Sequence, residues 1–421
     1  MKKIISFVIA VVLCALPAFT LLSCDNGGKE ETSGATTLYV YNWGEYISDG
    51  SEDSLDVNAA FEDYCRDVLG KNVKVNYSTY ASNEDLYAKL LSGAVAYDVI
   101  IPSDYMIARL AAEGLLAELN PEENLPNYKY ISDEFKNLYY DPDNVWSVPY
   151  TFGTVGVIYN TEMVDEEDIG SWDLMWNEKY AGNILQFNNP RDGFMTAQFL
   201  LGYSINSEDP TTWEEALGKL KDQKDVVQGY VMDEIFNKMK SGSAAISSYY
   251  AGDFFTMYDD NDALGFYYPE EGTNVFVDGI CIPSCVQNYD LAVEYVNFML
   301  SGEIAVANAE YICYASPNTL VTENEDYIEC MEEIHPDAMN ILYGFDSSKM
   351  EYYHDLPDDT RNLMNSLWEE LKIESNIGTT IFVVCGVVVV ALAVIIVAVV
   401  VRRKKRKEIY DEYDSENDTK D

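Results

Sequence analysis

Apolar residues recur along this chain first with a period of two and then with a period near 3.6, and the two patterns alternate through its first third. Thr37 to Tyr41 reads as a strand, Ser54 to Leu69 as a helix with Leu55, Ala59, Phe61 and Val68 spaced for one side, and Val73 to Tyr77 as a second strand. The next helix begins at Ser82, with Asp85 three residues on as a capping box and Leu86, Leu90 and Leu91 along its face. Tyr97 to Ile101 is an apolar strand broken by Pro102 and Ser103, followed by a helix through Met106, Leu110 and Leu115. Repeated βα units predict an α/β fold with a mostly parallel sheet. The turns Asn42 to Tyr46, Thr79 to Asn83 and Pro102 to Tyr105 then share one edge, where open α/β sheets place ligands.

The middle repeats this logic, with strands at Val155 to Tyr159, Ile184 to Phe187 and Ala244 to Ser248 and helices such as Trp213 to Leu220 between them. Asn274 to Ile282 reads as a further strand and Leu291 to Met299 as an apolar-faced helix. Roughly 340 residues separate the two end segments described below, which is too many for one core and suits two lobes facing a cleft.

The ends follow different rules. Lys2 and Lys3, an apolar run from Ile4, and Leu21-Leu22-Ser23-Cys24 have the three parts of a secretory signal. That last tetrapeptide resembles a bacterial lipobox, which implies acylation at Cys24 after removal of residues 1–23; a plain signal peptide with an incidental cysteine is the alternative. Asp25 to Thr36 is a polar tether. Ile377 to Val401 carries no charge and as a helix would extend ~37 Å, enough to cross a bilayer. The six basic residues Arg402 to Lys407 follow it, which places the tail 402–421 in the cytoplasm and the main domain outside.

With 72 acidic against 27 basic residues the net charge is −45, which argues against nucleic-acid binding and permits cationic ligands. Cys65, Cys281, Cys285, Cys313 and Cys330 form no zinc or redox motif and read as small buried hydrophobes, with one disulfide left open. No constellation for catalysis is present. The two histidines, His335 and His354, lack metal-ligand spacing, and there is no nucleophile elbow, P-loop or dinucleotide glycine pattern, so no enzyme activity, metal or cofactor is expected.

The stretch Thr37 to Tyr46, TLYVYNWGEY, ends a strand in Trp43, Glu45 and Tyr46, side chains suited to a cation, although such aromatics also simply fill cores. Together with Tyr77-Ser-Thr-Tyr-Ala-Ser-Asn83, Tyr97-Asp-Val-Ile-Ile-Pro-Ser-Asp-Tyr105, Val148-Pro-Tyr150, the Trp172 to Gly182 segment and Asp278-Gly-Ile-Cys-Ile-Pro283, it resembles the spermidine/putrescine-binding proteins of polyamine ABC transporters. The resemblance runs in order from Thr37 to Ile373. It implies a two-lobed periplasmic-binding-protein fold of type II, with one lobe at 37–147 plus 278–315 and the other at 148–277 plus 316–375.

Carried over by position, the resemblance implies an aromatic box of Trp43, Tyr46, Tyr249, Phe276 and Tyr314, and polar contacts from Ser103 and Tyr105. It implies that Asp278 meets an inner amine and Asp192 a terminal one. Asn189 stands where relatives often carry an acid, Tyr249 and Phe276 where they often carry tryptophan, Gly44 where a hydroxylated residue is common, and His354 near the position of a C-terminal amide. The expected partners are putrescine or spermidine, an ABC transporter permease, and a membrane reached through the lipid and the C-terminal helix. The alternatives are the same fold binding another small cation or metabolite, and a membrane-anchored sensor ectodomain.

Overall fold

The computed structural model describes residues 34–51 and 54–373. The expected signal and lipid site at Cys24, the span 377–401 and the tail 402–421 lie outside the described residues. Among the described residues no helix is long and apolar enough to cross a membrane.

The strands are β1 (Thr36–Trp43), β2 (Val73–Tyr80), β3 (Val99–Ile100), β4 (Ser147–Asn160), β5 (Ile184–Phe187), β6 (Val227–Val231), β7 (Ile246–Tyr250), β8 (Leu264–Tyr267), β9 (Thr273–Cys281) and β10 (Met350–Tyr352). They form one path in the order β2-β1-β3-β9-β4-β7-β5-β6, with β10 on β9 and β8 on β4. β1 pairs in parallel with β2 and β3, and β5 in parallel with β6 and β7, as βα units require. The expectation of a mostly parallel sheet fails in the middle, where β9 runs antiparallel to β3 and β4, and β4 antiparallel to β7 and β8. Side-chain periodicity marks a strand but carries no information on its direction.

β4 is the strand that links the two halves of the sheet. Its residues Ser147 to Thr154 pair with β9, and from Val155 onward it pairs with β7 and then β8 in the second half of the sheet. The ladder slips between Pro149 and Thr151, next to the pair Thr151 and Asp278; proline has no N–H to donate, and irregularity there re-aims the neighbouring side chains. In the first lobe Leu38 and Val40 of β1 pack on Val57 and Phe61 of the helix Val57–Asp67. The helices start where local chemistry dictates: the Ser82 hydroxyl accepts from the Asp85 N–H at 3.1 Å to cap Asn83–Ser92. Asn189 caps Pro190–Leu201, with Pro190 in the first turn. The five cysteines are all free, so the disulfide left open by the sequence does not form.

Candidate functional site

All three expected turns reach one cavity between the lobes, of about 820 Å³ including space open to solvent. After β1 the chain turns sharply. The Asn42 side chain accepts from the Trp43 N–H (2.8 Å) and donates to the Tyr46 carbonyl (3.2 Å), and Glu45 takes φ 50°. A Cβ at Gly44 would stand 2.8 Å from Asp233 Oδ2, so a larger residue there would shift the Asp233 carboxylate. The turn thereby presents Trp43, Glu45 and Tyr46 to the cavity.

Trp43, Tyr46, Tyr249, Phe276 and Tyr314 all line this cavity. Tyr46 meets Tyr314 edge-on at 4.9 Å, Phe276 lies 6.3 Å from Tyr314, and Tyr249 stacks on Phe187 at 5.3 Å. Trp43 tilts against Tyr80 at 4.6 Å, and its Nε1 has no hydrogen-bond partner among the described residues. Tyr250 joins the wall at 5.5 Å from Phe276.

Asp278 is the polar centre. It lies on β9, 3% exposed, and its Oδ2 accepts from the Tyr46 hydroxyl at 2.7 Å. Tyr46 also bonds the Thr151 hydroxyl at 2.5 Å, tying the β1 turn to β4 and β9. The Asp278 Oδ1 has no partner among the described residues. Burial pushes this carboxyl up to about 6, and hydrogen bonds from Ser103 and Tyr46 work against that rise.

Both oxygens of Asp192 have partners, with Oδ1 holding only one. Its Oδ2 accepts from Asn189 Nδ2 (2.7 Å) and the Tyr250 hydroxyl (2.6 Å), and its Oδ1 from the Tyr353 hydroxyl (3.0 Å). Asn189 therefore orients a carboxylate that a second acid at that position would repel. Tyr105 receives Asn83 Nδ2 (3.2 Å) and donates to Glu84 (3.1 Å), while Ser103 lies opposite Asp278 in an isolated bridge.

His354 is the exception among the expected residues. It is exposed, stacked on Tyr139 at 4.6 Å, with its N–H on Asn206 Oδ1 (2.7 Å) and its carbonyl on Arg191 Nη2 (3.2 Å). Those contacts turn its ring away and turn Tyr353 inward, one residue earlier.

The sequence reading missed Tyr80, Glu84, Arg191, Asp233, Tyr250, Asp253 and Tyr353. In all, six carboxylates (Glu45, Glu84, Asp192, Asp233, Asp253, Asp278) and one guanidinium, Arg191, line the cavity. Burial raises the carboxyls of Glu84 and Asp233 and pushes Asp253 up to about 8, the price of gathering acids in a closed space. Apolar ring faces between separated carboxylates can hold an elongated organic cation: the rings take its hydrocarbon, and the acids and ring faces take its charges. Among the described residues no group of His, Cys, Asp or Glu is gathered to hold a metal ion.

Residues 59–332 match the family model of the bacterial extracellular solute-binding proteins. The chain is 31% identical over 324 residues to the spermidine/putrescine-binding periplasmic protein of Salmonella typhimurium, covering 76% of this chain and 88% of that one. It is 28% identical over 359 residues to the putrescine/cadaverine-binding protein of Pseudomonas aeruginosa, covering 82% and 96%. Among solved structures, the spermidine/putrescine ABC transporter substrate-binding protein of Streptococcus pneumoniae matches with a TM-score of 0.62 and 32% identity, covering 80% of this chain and 99% of that one.

Proposed function

The chain belongs to the bacterial extracellular solute-binding proteins, and from that premise we propose that it is the extracytoplasmic receptor of a polyamine ABC transporter. It captures putrescine or spermidine between its lobes and hands the ligand to a membrane permease. The observation that carries this reading is Asp278, a buried carboxylate with one unpartnered oxygen in the middle of an aromatic-walled cavity. An ammonium placed there fills the free acceptor, and each charge-assisted hydrogen bond contributes about 1.5–3 kcal/mol. The methylenes on either side lie against Trp43, Tyr46, Tyr249, Phe276 and Tyr314. Asp192 takes one terminal ammonium, with Ser103, Tyr105 and Asn189 shaping that end and Tyr353 in the place assigned to His354. Glu45, Asp233 and Asp253 form the other end.

Binding and release follow from the hinge. The lobes, 37–147 plus 278–315 and 148–277 plus 316–375, close on the ligand, exclude water and present the closed form to the permease. Attachment rests on the sequence: an acylated Cys24 at one end, and a span at 377–401 with its basic flank inside the cell at the other.

The test is a thermal shift of the purified full-length protein against putrescine, spermidine and an uncharged diol of similar length, since a ligand that binds only the folded state raises its melting temperature. Both polyamines should raise it and the diol should not. No shift with either polyamine, backed by no heat in calorimetry, refutes the reading.

A further inference from the structure

One side chain in the cavity wall has the wrong sign for its surroundings. Arg191 is 4% exposed and is the single cation in a lining that holds six carboxylates. It also sits in the first turn of the helix Pro190–Leu201, where the macrodipole disfavours positive charge. Its Nη2 is held by Asn206 Oδ1 (3.1 Å) and the His354 carbonyl (3.2 Å), and its guanidinium lies over the Tyr353 ring at 4.2 Å and faces the Tyr105 ring at 5.3 Å. Its Nε has no hydrogen-bond partner among the described residues. Burying a cation with an unfilled donor is costly, and the ring contacts offset only part of that cost.

The position of this charge gives it a consequence for the ligand. Burial raises the Glu84 carboxyl, which accepts from Tyr105, and the Arg191 charge works against that rise; Asp192 is the neighbour of Arg191 in the chain. With both carboxylates ionised, the guanidinium leaves that end of the cavity with a net charge of −1, enough to match a single ammonium. A second ammonium pushed into the same end meets a fixed positive charge.

Resting on the polyamine reading above, we propose that Arg191 is a specificity-determining residue: a built-in cation that closes the Glu84 and Asp192 end of the channel against a further ammonium and sets a preference for diamines over triamines. The Tyr105 and Tyr353 rings flank the guanidinium, and the Asn206 and His354 contacts hold it in place.

The experiment is calorimetric titration of the full-length protein with putrescine and spermidine, for wild type, Arg191→Gln, Arg191→Lys and Glu84→Gln. Arg191→Gln should raise the spermidine-to-putrescine affinity ratio by about tenfold or more, which is 1.4 kcal/mol or more. Arg191→Lys, which keeps the charge, should hold the wild-type ratio, and Glu84→Gln should move the ratio toward putrescine. A purely structural role would weaken both ligands together and leave the ratio unchanged in Arg191→Gln; that result overturns the proposal. If Arg191→Gln does not fold, an unmoved ratio in Glu84→Gln overturns it equally. Wild type binding neither polyamine would instead refute the functional reading on which the proposal rests.

Discussion

Replacing Asp278 by asparagine keeps the shape of the side chain and removes its charge, and the surroundings of Asp278 set two opposite pH dependences. Burial pushes the carboxyl in the folded protein up to about 6, against about 3.9 in an unfolded chain. The folded state therefore holds this proton longer than the unfolded state does. The stability contributed by Asp278 is complete below about pH 4 and is lost as pH rises through about 6, in total about 3 kcal/mol for two pKa units. Asp278→Asn has no proton to lose. Its melting temperature relative to wild type should therefore climb between pH 4 and pH 7, by roughly 5 °C at about 2 °C per kcal/mol.

Ligand binding runs the other way. An ammonium on the free Oδ1 favours the carboxylate, so affinity is complete above pH 6 and falls as the free protein takes up the proton below it. At pH 5 the free site is about ten parts protonated to one ionised, which weakens polyamine binding about tenfold. The amines themselves stay protonated across this range. Asp278→Asn should lose about 2–5 kcal/mol of affinity at pH 7.5, as expected when a buried charge loses its partner, and any binding that remains should lack the decline centred on pH 6. Burial also pushes Asp104 and Asp253 up to about 8, and the Asp278 charge adds to the rise at Asp104, so the difference between variant and wild type, measured by scanning fluorimetry and calorimetry from pH 4 to 7, reports Asp278 together with its coupling to Asp104. Parallel pH curves for the two proteins would refute the reasoning.

Three further outcomes are expected. Tyr353→Phe, which removes a hydroxyl donor from Asp192, should weaken putrescine binding by about 1–2 kcal/mol in calorimetry, whereas His354→Ala should change it by less than about 0.5 kcal/mol. Gly252→Ala places a methyl 2.3–2.6 Å from the Tyr314 ring, so that ring must move; denaturant unfolding should show a loss of about 1–3 kcal/mol, with reduced ligand affinity. Protease treatment of intact cells should remove the main domain and spare a tag fused after Asp421, because the basic run after Val401 retains that end inside; loss of the tag refutes the topology.

What could be read from the sequence was local, and what could not depended on which distant segments meet. Strand patterns at Thr37 to Tyr41 and Ile184 to Phe187, and the Ser82 cap, rest on neighbouring residues and appear in place. Of the box residues, Trp43 and Tyr46 sit in an ordered motif, whereas Tyr249, Phe276 and Tyr314 were placed by position along the resemblance. Asp233, Asp253 and Glu84 were invisible among 72 acids, since nothing in their immediate sequence separates a cavity-facing carboxylate from a solvated one. Arg191 carried no signal beyond adjacency to Asp192. Tyr353 and His354 exchange places because Asn206, Arg191 and Tyr139, all distant in sequence, grip the histidine and so decide which neighbour faces inward.

The same long-range geometry joins the two proposed charge sites through one strand. Asp278 pairs with Thr151 beside the slipped register of β4, and a few residues later β4 leaves β9 and pairs Val155 with Tyr250. Tyr250 is the residue whose hydroxyl holds Asp192. Two carboxylates proposed to receive ammonium groups are thus fixed to either side of one short stretch of the strand that joins the lobes. A ligand shifts an open–closed equilibrium only by its differential affinity for the two states. On the proposed function, an ammonium at Asp278 alone should favour neither state, and a second one spaced to reach Asp192 across the strand should favour the closed one. Amine spacing, more than total charge, should then convert binding into closure: the diamine should compact the protein in small-angle scattering, and a monoamine that fills Asp278 as tightly should not.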